Sequence, residues 1–121
     1  MPLKLPKDRK GHVSHTRSPK QEKELAARIG GRVTRGSGSG KYDLGDAVLP
    51  RVIRIEAKTT VKKSFAVTRE MIEKIESAAM SHGEIPCMEI EFLSKDGKRE
   101  IAVALFPVHV IQTIAKHYGT S

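Results

Sequence analysis

The sequence predicts a single α/β domain, in which helices flank a mixed central β-sheet in the order α-β-β-β-α-β-β-α. Three patterns support this fold class. Residues 52–60 alternate strictly between apolar and polar side chains, as a half-buried strand does. A helix predicted at 68–81 can cross over the sheet and make the strands on either side of it parallel. Asp96-Gly97, which lies between two alternating runs, indicates an antiparallel hairpin.

The chain has 121 residues, enough to bury one modest core. The first predicted helix begins at Ser18. A serine N-cap, a proline at the first helical position and a glutamine at the third form a capping box there. Leu25, Ala26 and Ile29 give the helix an apolar face. Gly30-Gly31 is predicted to end it.

Strands and turns follow the first helix. Residues 32–35 and 42–49 have strand character, Pro50 marks a turn, and 52–60 is the clearest strand of the chain. The Gly-Ser-Gly-Ser-Gly run at 36–40 is a flexible loop by composition. The remaining predicted elements are strands at 87–93 and 100–105 and a last helix opened by Pro107.

The charge of the chain points to a polyanionic partner. Lys and Arg number 22 against 14 acidic residues, which gives a net charge of +8. A basic domain of this size attracts nucleic acid by steering and counterion release. Basic side chains are dense in residues 1–18, which we interpret as a flexible basic arm before a domain at 19–121. A terminus without a role is the alternative interpretation of the arm.

Cysteine use and hydropathy bear on localisation. Cys87, the single cysteine, lies in an apolar stretch and is expected to be a core thiol. An intracellular, cytoplasmic protein of a cell or a virus is the simplest account. No apolar run approaches the about 20 residues of a spanning helix. Residues 1–20 lack the apolar segment of a signal peptide, so we expect no membrane partner. We also expect no organic cofactor.

Charged residues on the clearest strand indicate chemistry. Alternation places Arg54, Glu56 and Lys58 on one face, opposite the apolar side chains. A carboxylate and an ammonium on one face suit a metal ligand beside a lysine that steadies an attacking water or a phosphate oxygen. Glu-x-Lys is also common on ordinary amphipathic strands, so the spacing alone does not decide between the two interpretations.

Two further acids can join Glu56. Asp46 lies ten residues earlier, on a segment that can pair with the Glu56 strand through the turn at Pro50. Two carboxylates that meet across paired strands form a hard-oxygen site for Mg²⁺. Glu22 borders the apolar face of the first helix and can supply a third carboxylate, although an acid in the first helical turn also complements the helix dipole. Glu24 lies on a different side of that helix.

Several segments between Gln21 and Ile75 match the sequence motifs of one known protein family. They are Glu22 with its apolar helix face, Gly30-Gly31, Gly36-Ser37-Gly38-Ser39-Gly40, Gly45-Asp46, Ile55-Glu56-Ala57-Lys58-Thr59-Thr60 and Ser64-Phe65-Ala66-Val67. With these segments the chain resembles the archaeal-type Holliday junction resolvases of the PD-(D/E)xK nuclease superfamily. The resemblance covers nearly half of the chain and implies a restriction-endonuclease-like fold.

The resemblance also implies an activity and its residues. Asp46 and Glu56 would ligate Mg²⁺, for which Mn²⁺ can substitute, and Glu22 would be the helix carboxylate of the same metal site. Lys58 would be the catalytic lysine. The implied reaction is hydrolysis of paired phosphodiesters in four-way branched DNA. The chain departs from the family at the Pro-Asp pair, which is Gly45-Asp46 here. A nearby acid, Asp43, leaves the choice of aspartate open, and we favour Asp46 because it enters an apolar run.

Basic and hydroxyl side chains around the Gly/Ser loop are the expected DNA contacts. The resemblance implies that Ser37 or Ser39 approaches the DNA backbone, whereas a plain flexible linker is the alternative for the loop. The other expected phosphate contacts are Arg32, Arg35, Lys41, Lys62 and Lys63.

Junction resolution implies two active sites on opposing strands, hence a homodimer with two-fold symmetry. The last helix, with Ile111, Ile114 and Tyr118, is the best candidate for the dimer surface, unless those residues are core. Two alternatives to a resolvase stay open at this point. One is another nicking or repair endonuclease of the same superfamily, and the other is a non-catalytic basic DNA-binding protein.

Overall fold

The structure, a computed structural model, describes residues 19–34 and 46–119 of the chain. The order of its elements is the predicted one, and the α/β fold class with a mixed sheet is confirmed. The elements are helix α1 (19–29), strands β1 (Arg32–Val33), β2 (Ala47–Leu49) and β3 (Ile53–Thr60), helix α2 (Arg69–Met80), strands β4 (Ile85–Leu93) and β5 (Arg99–Leu105), and helix α3 (Val108–Gly119).

The strands described form one sheet in the order β1-β2-β3-β4-β5. Consecutive strands run antiparallel except β3 and β4, which are parallel with Glu56 beside Met88 and Thr60 beside Phe92. Helix α2 connects those two strands, as expected of a crossover between parallel neighbours. Strands β4 and β5 form the predicted hairpin, and Gly97 in its turn has a φ of 88°.

Two apolar cores lie on opposite faces of the sheet, as the alternation of β3 predicts. On one face, Leu25 and Ala26 of α1 pack against Ile55 and Ala57. Cys87 is buried in the same core, and burial, with a smaller contribution from Glu89, raises the pKa of its thiol to about 11. On the other face, Ile75 of α2 packs with Met88 and Ile90 of β4, together with Phe65, Met71, Ile72, Phe92 and Leu105.

Local signals account for the bounds of α2. Thr68 is its N-cap and accepts a hydrogen bond from the Met71 N–H at 3.1 Å. Such a cap satisfies one of the free donors of the first turn. Gly83, just beyond the helix, has a φ of 69°, a conformation that favours glycine. The prediction of a helix from Thr68 to about Ser81 is confirmed.

The first strands are shorter than predicted. The strand expected at 32–35 ends at Val33, because the Thr34 hydroxyl accepts the Asp46 N–H at 2.8 Å in place of a backbone carbonyl. Of the strand expected at 42–49, the structure describes Ala47–Leu49, and residues 42–45 lie outside the described part. The predicted arm at 1–18 also lies outside it, as does the Gly/Ser loop at 36–40.

The helices of the described residues do not include a membrane-spanning candidate, since each is too short or too polar to cross a bilayer.

Candidate active site

Strands β2 and β3 bring the predicted catalytic residues together. The two strands are antiparallel, with Ala47 opposite Ile55. Asp46 comes immediately before β2, so it lies near Glu56 at the point where this pairing ends. Glu56 and Lys58 project from the face opposite the α1 core, as successive alternate residues of a strand must.

The position of Asp46 is fixed through its backbone. Its carbonyl oxygen accepts the Thr34 N–H at 2.8 Å, and its own N–H donates to the Thr34 hydroxyl at 2.8 Å. Its carboxylate accepts a hydrogen bond from Arg54 Nη1 at 3.3 Å. Burial and the neighbouring Glu56 carboxylate raise the pKa of Asp46, against the opposing effects of Arg54 and Lys58. Asp46 is therefore held beside a second acid and two cations.

Glu56 and Lys58 form an ion pair with 2.8 Å between Oε2 and Nζ. Both side chains keep some contact with solvent, with 20% of Glu56 and 34% of Lys58 exposed. A partly exposed ammonium at this place can meet an incoming phosphate oxygen without a rearrangement of the fold. The pair thus places a negative and a positive group on one accessible surface.

Glu22 reaches the same neighbourhood from helix α1. Its residue is 5% exposed, and its Oε2 has no hydrogen-bond partner among the residues described. Burial raises the pKa of Glu22 to about 7, and the nearby Asp46 carboxylate adds to that rise. Glu24, the competing acid of this helix, is exposed. A buried carboxyl without a donor favours either protonation or a bound cation.

We call Glu22, Asp46 and Glu56 the acidic cluster. Within 19–34 and 46–119, no group of three or more His, Cys, Asp or Glu side chains is arranged to hold a metal ion. The donor chemistry nevertheless fits a hard divalent cation, because the three acids offer oxygen ligands and the carboxyl groups of Glu22 and Asp46 each have a raised pKa beside a second acid. Arg54 and Lys58 neutralise two of these acids, so a cation would have to displace their ion pairs.

Sequence reasoning assigned no role to Arg54 in the site. Its Nε donates to Glu84 Oε1 at 2.8 Å, while Nη1 contacts Asp46 at 3.3 Å. Burial alone would raise the pKa of Glu84, but the Arg51 N–H and Arg54 hold it below its usual value. Arg54 therefore ties the start of β2 to the segment before β4. The contact with Glu84 joins residues 30 positions apart in sequence, and no local pattern marks it.

Gln21 is a second residue that the sequence does not mark as part of the site. It is fully buried, and its Nε2 donates to Glu89 Oε1 at 2.7 Å and to the Lys58 carbonyl oxygen at 3.2 Å. It had been assigned only to the predicted capping box. Arg28 reaches the same Glu89 carboxylate at 3.5 Å. Gln21 fixes α1 against β3 at Lys58, and so helps to set where Glu22 lies.

The predicted DNA contacts divide into two groups. Arg32, Lys62 and Lys63 are exposed, Arg32 on β1 and the two lysines just after β3. The other predicted contacts, Arg35, Ser37, Ser39 and Lys41, lie outside the described residues, as does Asp43, the alternative aspartate.

Comparisons with known proteins leave the family undecided. No protein-family model matches the chain. No curated protein and no solved structure is significantly similar to it either.

Proposed function

We propose that the protein is a metal-dependent DNA endonuclease that resolves four-way junctions by paired phosphodiester hydrolysis. The observation that carries the proposal is that Asp46, just before β2, lies near both Glu22 of α1 and Glu56 of β3, with Lys58 paired to Glu56. Burial raises the pKa of Glu22 and of Asp46, and a neighbouring carboxylate adds to the rise in each, Asp46 for Glu22 and Glu56 for Asp46. Acids with a pKa raised in this way are typical of functional sites.

The charge of the chain supports nucleic acid as the substrate. The protein carries a net charge of +8, which draws DNA to its surface. Arg54 and Lys58 pair with Asp46 and Glu56. A divalent cation at the acidic cluster would take over these carboxylates and leave both basic side chains able to meet the phosphates.

The chemistry assigns a distinct role to each residue. Asp46 and Glu56 would hold Mg²⁺ or Mn²⁺, with Glu22 as the third carboxylate. The bound cation would supply Lewis-acid stabilisation of the charge that develops on the phosphate. Lys58 lies 2.8 Å from Glu56, where its ammonium can stabilise the same developing charge. Arg54 acts as a positioning residue, because it holds Asp46 from the side of Glu84.

The ion pairs of the acidic cluster favour one alternative function, that of a non-catalytic basic DNA-binding protein. Lys58 pairs with Glu56 and Arg54 pairs with Asp46, so the charges of the cluster are largely balanced without a metal. A basic DNA-binding protein that uses these pairs only for structure would look the same. Such a protein would bind DNA without cutting it and would not respond to divalent cations.

A homodimer belongs to the proposal, since two opposing strands must be cut. Helix α3 buries Val110 alone and exposes Val108 at 77% and Tyr118 at 80%. With Ile111 and Ile114, these side chains recur at helical spacing and form one stripe, which we call the α3 stripe.

A second copy of the chain is the occupant that the α3 stripe fits best. The run from Ile101 to Ala115 contains no Asp, Glu, Lys or Arg, in a chain that is 30% charged. Two molecules of charge +8 repel each other, so they approach most easily where charge is missing. The exposed side chains of the stripe offer apolar surface for such an interface, in which each partner buries about 800 Å². A two-fold axis through α3 would make that surface self-complementary.

The test is cleavage of a labelled four-way DNA junction beside a linear duplex of the same sequence. The arms are wild type with Mg²⁺, wild type with EDTA, and Glu56→Gln with Mg²⁺. We expect paired symmetric nicks in the junction, lost in EDTA and reduced at least about 100-fold in Glu56→Gln. Glu73→Gln is the matched control, since Glu73 is an exposed acid on α2.

Each other outcome has a defined meaning. Equal cutting of junction and duplex would retain the nuclease and reject the junction specificity. Binding without cutting, unchanged in Glu56→Gln, would reject the enzyme and favour the structural ion pairs.

A further inference from the structure

A cavity of about 350 Å³ opens where β3 and β4 end. Val61, Lys62 and Lys63 line one side of it, and the end of β4 with the hairpin turn lines another. These are the carboxyl ends of two parallel strands, where α/β sheets commonly bind ligands. The Lys62 and Lys63 contacts predicted from sequence therefore belong to a shaped concave site.

The charge of this cavity is positive. Lys62, Lys63 and Lys95 line it, against a single acid, Glu100. None of the three ammonium groups forms an ion pair with a described residue, unlike Lys58 at the acidic cluster. Three unpaired lysines around one cavity favour an anion.

Two fixed turns hold the lysines around the cavity. The Lys62 N–H donates to the Thr60 hydroxyl at 3.0 Å. In the β4–β5 turn, the Ser94 N–H donates to the Lys98 carbonyl at 2.8 Å, and the Lys98 N–H donates to the Ser94 hydroxyl at 3.2 Å. The backbones that carry the lysines on both sides are thus ordered by hydrogen bonds before any ligand arrives.

Part of the cavity wall is apolar. Phe92, Leu93 and Ile101 contribute to its lining. Apolar walls suit the deoxyribose that accompanies a phosphate, and they reduce the hydration that weakens charge pairing. A phosphodiester within a chain fits this combination of lysines and apolar surface.

Glu56 of the acidic cluster lies on the same face of the sheet as Phe92, which lines the cavity. Glu56 and Thr60 are four residues apart on β3, and Thr60 pairs with Phe92. Alternate residues share a face, and four residues span about 13 Å of strand. That length matches the rise of about four base pairs of duplex, at roughly 3.4 Å per nucleotide of one strand.

We infer that this lysine cavity binds a backbone phosphate of the DNA substrate, about four base pairs from the phosphodiester at the acidic cluster. The inference rests on the proposed function for the identity of the substrate. It adds Lys95 to the expected DNA contacts. It also predicts that the bound DNA runs along β3, from the acidic cluster towards the lysine cavity. The same phosphate chemistry occurs in free nucleotides, which the experiment separates from DNA.

The test measures binding of a labelled four-way junction in EDTA, where cleavage does not interfere. The variants are Lys62→Ala and Lys95→Ala. Lys98→Ala is the matched control, because Lys98 lies in the same turn as Lys95 but does not line the cavity. We expect the Kd to rise about five-fold for each cavity lysine and the slope of log K against log salt to fall by about one. Lys98→Ala should change the Kd less than about two-fold.

The outcomes separate the cavity from the proposed nuclease. Equal weakening by Lys95→Ala and Lys98→Ala would overturn the inference, since net charge alone would explain both. Competition by micromolar dAMP would overturn it as well, in favour of a free nucleotide. Wild-type protein that binds the junction through Lys62 and Lys95 but never cuts it would support the cavity and reject the nuclease.

Discussion

Glu22 is a residue whose ionisation opposes folding. Its pKa rises from an ordinary 4.5 to about 7, first through burial and then through Asp46. The folded protein therefore binds a proton more tightly at Glu22 than the unfolded chain does. Its favourable contribution to the free energy of unfolding is complete below about pH 4.5. It is lost as the pH rises to about 7, and the loss amounts to at most about 3 kcal/mol.

Glu22→Gln should remove this pH dependence, because the amide is similar in shape and carries no charge. In EDTA at pH 8 we expect the variant to exceed wild type by about 2 kcal/mol in the free energy of unfolding. Near pH 4.5 the two proteins should be about equally stable. Urea unfolding across this pH range measures the difference, and parallel curves for the two proteins would show that Glu22 ionises normally.

Mg²⁺ gives a separate residue-scale test of the acidic cluster. A cation that binds the folded state through Glu22, Asp46 and Glu56 stabilises that state by mass action. At pH 8, millimolar Mg²⁺ should raise the Tm of wild type and leave the Tm of Glu22→Gln almost unchanged. An equal rise in both proteins would place the cation elsewhere.

The sequence could indicate Glu22, Asp46, Glu56 and Lys58 because each has a local pattern. Glu56 and Lys58 follow from strand alternation, and Glu22 borders an apolar helix face. Gln21, Arg54 and Glu84 have no such pattern, since Gln21 and Glu89 are 68 residues apart and Arg54 and Glu84 are 30 residues apart. Such contacts depend on how the helices and strands pack against one another. Composition and residue spacing do not predict that packing.

At the level of elements, the sequence predicted the helices and long strands well. A helix cap defines α2 and alternating burial defines β3, and both signals can be recognised in the local sequence. The bounds of β1 and β2 were less predictable. Those strands consist of two and three residues, and where their pairing ends the Thr34 hydroxyl accepts the Asp46 N–H.

Gly31 is the glycine that lets helix α1 meet strand β2. A Cβ at this position would collide with the Val48 carbonyl oxygen. Gly31→Ala should therefore push β2 away from α1 and cost about 2–3 kcal/mol of stability. Gly30→Ala is the control, because Gly30 has a φ of 72° but open space around its Cβ. That change should cost about 1 kcal/mol. Equal losses in chemical denaturation would show that backbone conformation alone matters here.

Among the residues that the structure describes, large exposed apolar side chains are most numerous on the last helix. The α3 stripe includes the residues that the sequence offered as either dimer surface or core, and it lies exposed in a single chain. A charge placed within a two-fold interface meets its own copy across the axis. Replacing one stripe residue with an acid therefore places two negative charges in the interface of each dimer.

Ile111→Glu should convert a dimer into a monomer of 13.4 kDa, because two buried carboxylates would face each other without partners. Sedimentation equilibrium at tens of micromolar measures the mass, and circular dichroism checks that the variant stays folded. Met80→Glu is the matched control, since Met80 is 70% exposed but lies on α2, and it should remain dimeric. A wild-type monomer, or a dimer that survives Ile111→Glu, would remove α3 from the interface. If the monomeric variant still nicks junctions, its nicks should be single rather than paired, because a second active site then has to arrive from solution.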